Sequence, residues 1–157
     1  MLRSILAALL ALAFALAQAQ PRPDYGPSIN LETAKKVLAA AQAEARKNSW
    51  NVAVAIVDTA GNLVAFEKLD QTQTASMQVA IDKAVSAAIY RRSTKVFEDA
   101  VAKGGGGVRL MNLYRASMVE GGLPIFVDGK VIGAIGVSGV NADQDGMVAK
   151  AGAEAVK

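Results

Sequence analysis

The sequence of 157 residues contains no cysteine and no histidine. Without cysteine, the chain forms no disulfide and has no thiol nucleophile, so the fold must be stable through packing alone. Without histidine, a Ser-His-Asp triad and a histidine-based zinc site are both excluded. The two absences therefore remove the commonest general base and the commonest zinc ligand from any mechanism.

An excess of charge of one sign is also missing. The chain has 17 basic and 14 acidic residues, and a formal net charge of +3. Removing residues 1–19, whose single charged side chain is Arg3, leaves 16 basic against 14 acidic residues, or +2. Because a nucleic-acid-binding domain carries a clustered basic face, this balance predicts no nucleic-acid partner.

The first 19 residues have the pattern of a secretory signal peptide. Arg3 precedes an apolar stretch from Ile5 to Leu16, and Ala17-Gln18-Ala19 supplies a small-x-small cleavage site. The alternative is a membrane anchor, which needs about 20 apolar residues and is therefore disfavoured by this shorter stretch. We expect a bacterial periplasmic or secreted protein with no membrane span after cleavage, a flexible lead-in at residues 20–29 and one domain at residues 30–157.

Hydrophobic spacing predicts an α+β domain with an antiparallel sheet. Helical periodicity, apolar runs and turn residues predict the following order: a helix from the Asn30 cap to near Asn48, strands at 51–58 and 63–69, helices at 75–92 and 94–102, an ambiguous segment at 108–119, a hairpin turning at Asp128-Gly129, and a last helix from Asp145 onward. In the first strand, one face carries Val52, Val54 and Ile56 and the other carries Ala53, Ala55 and Val57, so neither face is solvated. We expect helices on one face and either helices or another subunit on the other.

The last hairpin, GGLPIFVDGKVIGAIGVSG, contains more glycine than a strand normally tolerates. Glycine loses more backbone entropy than alanine on folding and packs nothing, yet Gly133, Gly136 and Gly139 all fall in or at the end of one strand. These positions predict that neighbouring backbone, another subunit or a ligand lies against the strand.

Three blocks of the sequence carry a family resemblance. VAVAIVDTAGNLVAFEKLD, IDKAVSAA and GGLPIFVDGKVIGAIGVSGVNADQD, in this order, resemble the GlcG/HbpS family of haem-binding proteins, whose module also forms the C-terminal part of PduO-type adenosyltransferases. The resemblance extends from about Leu31 to Val156. It implies an antiparallel sheet of about five strands, a symmetric homo-oligomer that is often an octamer, and a role in binding haem or sensing haem and iron.

The haem ligand implied by this resemblance must come from methionine or tyrosine, since haem iron is held by His, Met, Cys or Tyr. Met111, Tyr114 and Met118 are the candidate metal ligands, and they lie in the ambiguous segment before the glycine hairpin. Arg115, beside Tyr114, could stabilise a phenolate or meet a propionate. The alternative is that these side chains fill the core beneath a loop, a role to which methionine is well suited.

A second group of candidate ligand-binding residues lies on the helix at 75–92. Lys83, Ser86 and Tyr90 share one helix face, so Lys83 could bind a carboxylate or propionate while the two hydroxyl groups donate hydrogen bonds. We expect this face to form a pocket with two pairs of hairpin residues, Gly121-Gly122 and Ser138-Gly139, the second pair next to a helix N-terminus. The alternative is a solvated polar face.

Two further motifs carry no site. Asn141 to Gly146 opens like a calcium loop, but the twelfth position, where a bidentate acid is required, is Gly152. We instead expect Asp143 or Asp145 to cap the last helix. The run Gly104–Gly107 lacks the Gly-Lys-Ser/Thr ending of a P-loop.

The sequence therefore favours a secreted, oligomeric protein that binds haem, or senses haem and iron, without catalysis of its own. Two alternatives stay open. One is an enzyme or binding module for a small organic acid, with Lys83 or Tyr90 as the proton-transfer group in the enzyme. The other is a structural oligomer whose small sheet face serves assembly.

Overall fold

The computed structural model describes residues 22–156, so the predicted signal peptide lies outside the described residues. The helices are α1 (Leu31–Lys47), α2 (Ser76–Tyr90), α3 (Lys95–Ala102) and α4 (Ala142–Ala153), with a 3-10 helix at Gly105–Asn112. The strands are β1 (Ala53–Asp58), β2 (Leu63–Lys68), β3 (Gly122–Val127) and β4 (Lys130–Ser138). This order confirms the α+β class and both predicted hairpins.

The four strands form one antiparallel sheet in the order β2-β1-β4-β3. The two hairpins are joined in the middle by β1 and β4, where Ile56 lies opposite Ile135. The expected count of about five strands is one too high for residues 22–156. The ambiguous segment at 108–119 forms the rest of the 3-10 helix and a loop, and it follows Gly104 and Gly105, whose positive φ angles a strand does not adopt.

Helices cover both faces of the sheet. The bulky face of β1, with Val54 and Ile56, packs in one apolar cluster with α1 and α4. The small face, with Ala53 and Ala55, packs against the alanines of α2 in a second cluster. The sequence left open whether the second face is covered by helices or by another subunit. In the structure a helix of the same chain covers it.

The strand glycines let α2 approach the sheet at backbone distance. A Cβ atom added to Gly136 would lie 2.0 Å from the Ala80 carbonyl oxygen and 2.4 Å from the Ala84 nitrogen. One added to Gly122 would lie 2.3 Å from the Lys83 carbonyl oxygen. Neighbouring backbone therefore leaves no space for a side chain at these two positions.

The described part of the lead-in, residues 22–29, is fastened to β4, whereas the sequence predicted a flexible segment over residues 20–29. The Gly26 N–H donates to the Val131 carbonyl oxygen at 2.9 Å, and the Ile29 N–H donates to that of Ile132 at 2.7 Å. The Tyr25 hydroxyl also donates to the carbonyl oxygen of Ala88, at the end of α2, at 3.0 Å. These bonds add a short extended segment beside the β3–β4 hairpin.

The helix ends match the predicted caps in one case and correct them in another. Asn30 caps α1, its Oδ1 atom accepting from the Thr33 N–H at 2.8 Å. The last helix begins at Ala142, and its N-cap is Asn141 rather than Asp143 or Asp145. Within residues 22–156, no helix is both long enough and apolar enough to cross a bilayer.

Candidate functional site

Lys83 lies on the inner face of α2 and is only 1% exposed. Its Nζ atom donates to Asp145 Oδ2 at 2.8 Å and to the Val137 carbonyl oxygen at 3.0 Å. The sequence predicts that the Lys83 amine binds the carboxylate of a ligand. In the structure the carboxylate comes from α4 of the same chain.

Asp145 is the partner of Lys83, a pairing that the sequence analysis missed. Its Oδ1 atom accepts from the Val140 N–H at 3.2 Å, so both carboxylate oxygens are bound. Burial raises the pKa of Asp145, while the hydrogen bond from Lys83 and its charge act in the opposite direction. One signal was available in the sequence, because Asp145 shares the inward stripe of α4 with Val148, Ala149 and Gly152.

Gly121 and Gly122 lie beside this ion pair, and protein atoms fill the space in which the sequence predicts a pocket shared with Lys83. Gly121 has a φ angle of +125°, and a Cβ atom there would lie 2.9 Å from Lys83 Nζ and 3.0 Å from Asp145 Cβ. The Gly122 N–H donates to Thr94 Oγ1 at 2.9 Å. The polar groups around Gly121 and Gly122 are therefore hydrogen-bonded to one another inside the fold.

Ser138 and Gly139 are also packed against protein. Ser138 is 5% exposed, and its hydroxyl lies 3.2 Å from that of Ser76 at the start of α2. A Cβ atom on Gly139 would lie 2.2 Å from the Asn51 carbonyl oxygen. The predicted hairpin pocket is thus a closed, hydrogen-bonded junction between β4, α2 and α4.

Ser86 and Tyr90, the other two residues of the predicted α2 face, fasten a surface segment. Ser86 Oγ accepts from the Ser117 N–H at 3.0 Å, and the Tyr90 hydroxyl donates to the Tyr114 carbonyl oxygen at 2.8 Å. Tyr90 also meets Phe97 of α3 edge-on, with 5.3 Å between ring centroids. This face of α2 therefore holds the segment that carries Tyr114.

The candidate metal ligands lie on what we call the 108–118 surface, the 3-10 helix from Val108 and the loop that follows it to Met118. The Tyr114 side chain is 77% exposed and Met111 is 62% exposed, while Met118 is half-buried. Arg115 is exposed as well and has a φ angle of +54°. The exposure of Met111 and Tyr114 argues against the alternative that they fill the core.

The structure also contains a groove that the sequence did not indicate. It has a volume of about 1200 Å³ and runs along the outer edge of β3, between the ends of α2 and α4. Arg91 and Arg92 form one wall, and Leu123 and Phe126 lie along the floor. In the stretch from residue 22 to residue 156, no group of three or more Asp or Glu side chains is arranged to hold a metal ion.

Comparisons with known proteins agree with this architecture. A family model described as "Haem degrading protein HbpS-like" matches residues 29–154. Protein GlcG of Escherichia coli K12 is 38% identical over 110 residues, which cover 70% of this chain and 81% of that protein. The crystal structure of HbpS superposes with a TM-score of 0.77 and 27% identity, covering 90% of this chain and 99% of that one.

A complex of PduOC with haem has the same fold, with a TM-score of 0.74 at 24% identity over 83% of this chain and 96% of that chain. The family model spans all of the residues that form the described sheet and its helices, and the three sequence blocks lie inside it. The chain belongs to the HbpS-like family.

Proposed function

We propose that this protein binds haem. The observation that carries the proposal is the HbpS-like family match over residues 29–154. A solved haem complex of PduOC has the same fold. The proposal is limited to binding and assigns no reaction to the protein.

The 108–118 surface fits the requirements of a haem site in a chain without histidine or cysteine. Haem needs an axial ligand, an apolar surface and partners for its propionates. The thioether of Met111 and the phenol of Tyr114 are exposed, and Val108 and Leu113, which are 48% and 38% exposed, add apolar contact. The Arg115 guanidinium lies next to Tyr114 in the chain and is available to a propionate.

The fastening of this surface to α2 favours its use as a site. The Tyr90 hydroxyl and the Ser86 hydroxyl hold the backbone at Tyr114 and Ser117. A ligand group on a fixed backbone loses less conformational entropy when it binds than one on a free loop. Bound haem would supply a redox-active iron, while the protein residues hold the iron and orient the macrocycle.

A haem titration followed in the Soret region tests the proposal. We expect a saturable shift for the wild type and a changed spectrum or weaker binding in Tyr114→Phe, Met111→Ala or Met118→Ala, according to which side chain is the axial ligand. Tyr25→Phe and Met147→Ala are matched controls, since both residues are exposed and lie outside the 108–118 surface. Absence of a saturable shift, or equal losses in the controls, would refute the assignment.

The proposed working form is an exported homo-oligomer, up to an octamer, in the periplasm or outside the cell. The N-terminal pattern at residues 1–19 supports export. Sequencing the N-terminus of the protein recovered outside the cytoplasm tests export: we expect it to begin at Gln20, and a retained Met1 would contradict cleavage.

A further inference from the structure

The groove along β3 has three walls from separate elements. Residues 91–93 follow α2, residues 123–126 belong to β3, and residues 150–156 end α4 and continue beyond it. Pro23 and the turn residues Asp128 and Gly129 complete the lining. Its volume of about 1200 Å³ exceeds what a drug-sized molecule needs, since ligand pockets span about 300–1000 Å³. None of the candidate haem ligands lines it. The groove is therefore a feature separate from the 108–118 surface.

The edge of β3 is closed to another β-strand. Thr94 occupies the outer backbone groups of Gly122, since the Gly122 N–H donates to Thr94 Oγ1 at 2.9 Å and the Thr94 N–H donates to the Gly122 carbonyl oxygen at 3.0 Å. Alternate residues of an antiparallel strand direct their backbone groups to the same side, so the next outer position is Pro124, which has no N–H. A bulge follows between Ile125 and Phe126. Recognition along the β3 edge therefore falls to side chains.

The cationic wall is held in place without a carboxylate partner. Arg91 donates from Nη1 to the Pro23 carbonyl oxygen at 2.9 Å and lies 4.9 Å from the Tyr25 ring centroid. The Arg92 guanidinium lies 5.4 Å from the Phe97 ring centroid. Between residues 22 and 156, neither arginine forms a salt bridge. Burial and the nearby charge of Arg22 lower the pKa of Arg92.

The floor of the groove is apolar. Phe126 is 40% exposed, Leu123 and Ala153 are half-buried, and all three line the groove. Asp128, Lys150 and Glu154 also line the groove, and Glu154 is paired with Lys150 at 3.8 Å, so the lining keeps an excess of one positive charge. An apolar floor beside two guanidinium groups that form no salt bridge within residues 22–156 is complementary to a molecule with an apolar body and an acidic end. We propose that the groove binds an amphipathic organic anion, a small carboxylic acid whose body lies on Leu123 and Phe126 and whose carboxylate meets Arg92.

Competition with a fluorescent probe tests this proposal on the folded chain. The probe is 8-anilinonaphthalene-1-sulfonate, an apolar aromatic anion whose emission rises in apolar surroundings. We expect saturable binding to the wild type, displacement by 4-phenylbutyrate and no displacement by the uncharged 4-phenylbutanol. Arg92→Met should weaken probe binding about tenfold, since a charge-assisted hydrogen bond is lost. Arg46→Met, an exposed arginine of α1, should leave it unchanged.

Phe126→Ser is a second variant at a half-exposed position, and we expect it to weaken the probe while circular dichroism stays that of the wild type. Haem has an apolar body and two propionates, so it shares this chemistry and is titrated in parallel. Unchanged Soret titrations in Arg92→Met would separate the groove from the haem proposal. Wild-type-like probe binding in both groove variants, displacement by the alcohol, or displacement of the probe by haem would overturn the separate site. Absence of probe binding to the wild type, as when a second copy covers the groove, would overturn it too.

Discussion

At the scale of single residues, the buried pair of Lys83 and Asp145 decides how the predicted site is to be interpreted. Both side chains are at most 3% exposed, and each has its hydrogen-bonding atoms bound within the fold. A buried ion pair contributes little net stability, because desolvation offsets the attraction between its charges. Removing one partner is costly, however, because it leaves the other charge buried and unpaired.

We therefore expect Lys83→Met to lower the free energy of unfolding by about 3–5 kcal/mol, because it leaves Asp145 without its cation. The double variant Lys83→Met, Asp145→Leu should regain most of this loss, since no charge then remains buried. Urea unfolding followed by circular dichroism measures both.

The exposed pair Lys95–Asp99 is the control, and Lys95→Met should cost less than about 1 kcal/mol. If Lys83→Met cost no more than this control, the pair would not be buried in solution, and the pocket predicted around Lys83 would regain support.

At the scale of elements, the contact between α2 and β4 holds the domain together and shapes the segment next to it. The alanines of α2 meet the small face of the sheet, and Gly136 admits the backbone of Ala80 and Ala84. Ser86 and Tyr90 of the same helix hold the 108–118 surface in position. A shift of α2 should therefore change both its packing on β4 and the position of the 108–118 surface.

Gly136→Ala tests this contact. The added methyl group would lie 2.0 Å from the Ala80 carbonyl oxygen, so the helix or the strand must move, and we expect a loss of about 3 kcal/mol or more in urea unfolding. Gly106→Ala is the matched control, because an added Cβ atom there meets nothing within 4 Å, and its effect should stay within about 0.5 kcal/mol. Equal stabilities of the two variants would contradict the close packing.

At the scale of the whole molecule, the two edges of the sheet differ in what they can bind. The β3 edge is closed by Thr94 and Pro124, whereas β2 is an edge strand without proline and carries Leu63, which is 50% exposed. An open edge with exposed apolar side chains is a natural place for a second copy. This asymmetry supports the proposed homo-oligomer and points to β2.

Size-exclusion chromatography with light scattering measures the assembly. We expect a mass that is a multiple of the chain mass, and a shift to smaller species in Leu63→Lys, because a charge would be placed at the open edge. Leu31→Lys, which changes a leucine of α1 that is 51% exposed, should not alter the mass. A wild-type monomer at every concentration would refute assembly.

Much of the fold was determined by the sequence itself, because its signals are local. The Asn30 cap, the apolar spacing of α1, the loop at residues 59–62 and the Asp128-Gly129 turn each act over a few residues, and all appear in the structure where the sequence places them. The absence of histidine and cysteine likewise limits the haem ligands to methionine and tyrosine, because composition alone decides which donor atoms the chain can offer.

The partners of these elements were decided only by the tertiary structure. Lys83 and Asp145 are 62 residues apart, and nothing between them in the chain indicates that they form a pair. The strand glycines predicted a close neighbour but not which element it is. The β3 groove likewise combines the ends of α2 and α4 with a strand edge. Local propensity specifies which element forms, whereas burial of both sheet faces specifies which elements meet. The way in which the elements meet fills the pocket predicted around Lys83 and forms the groove along β3.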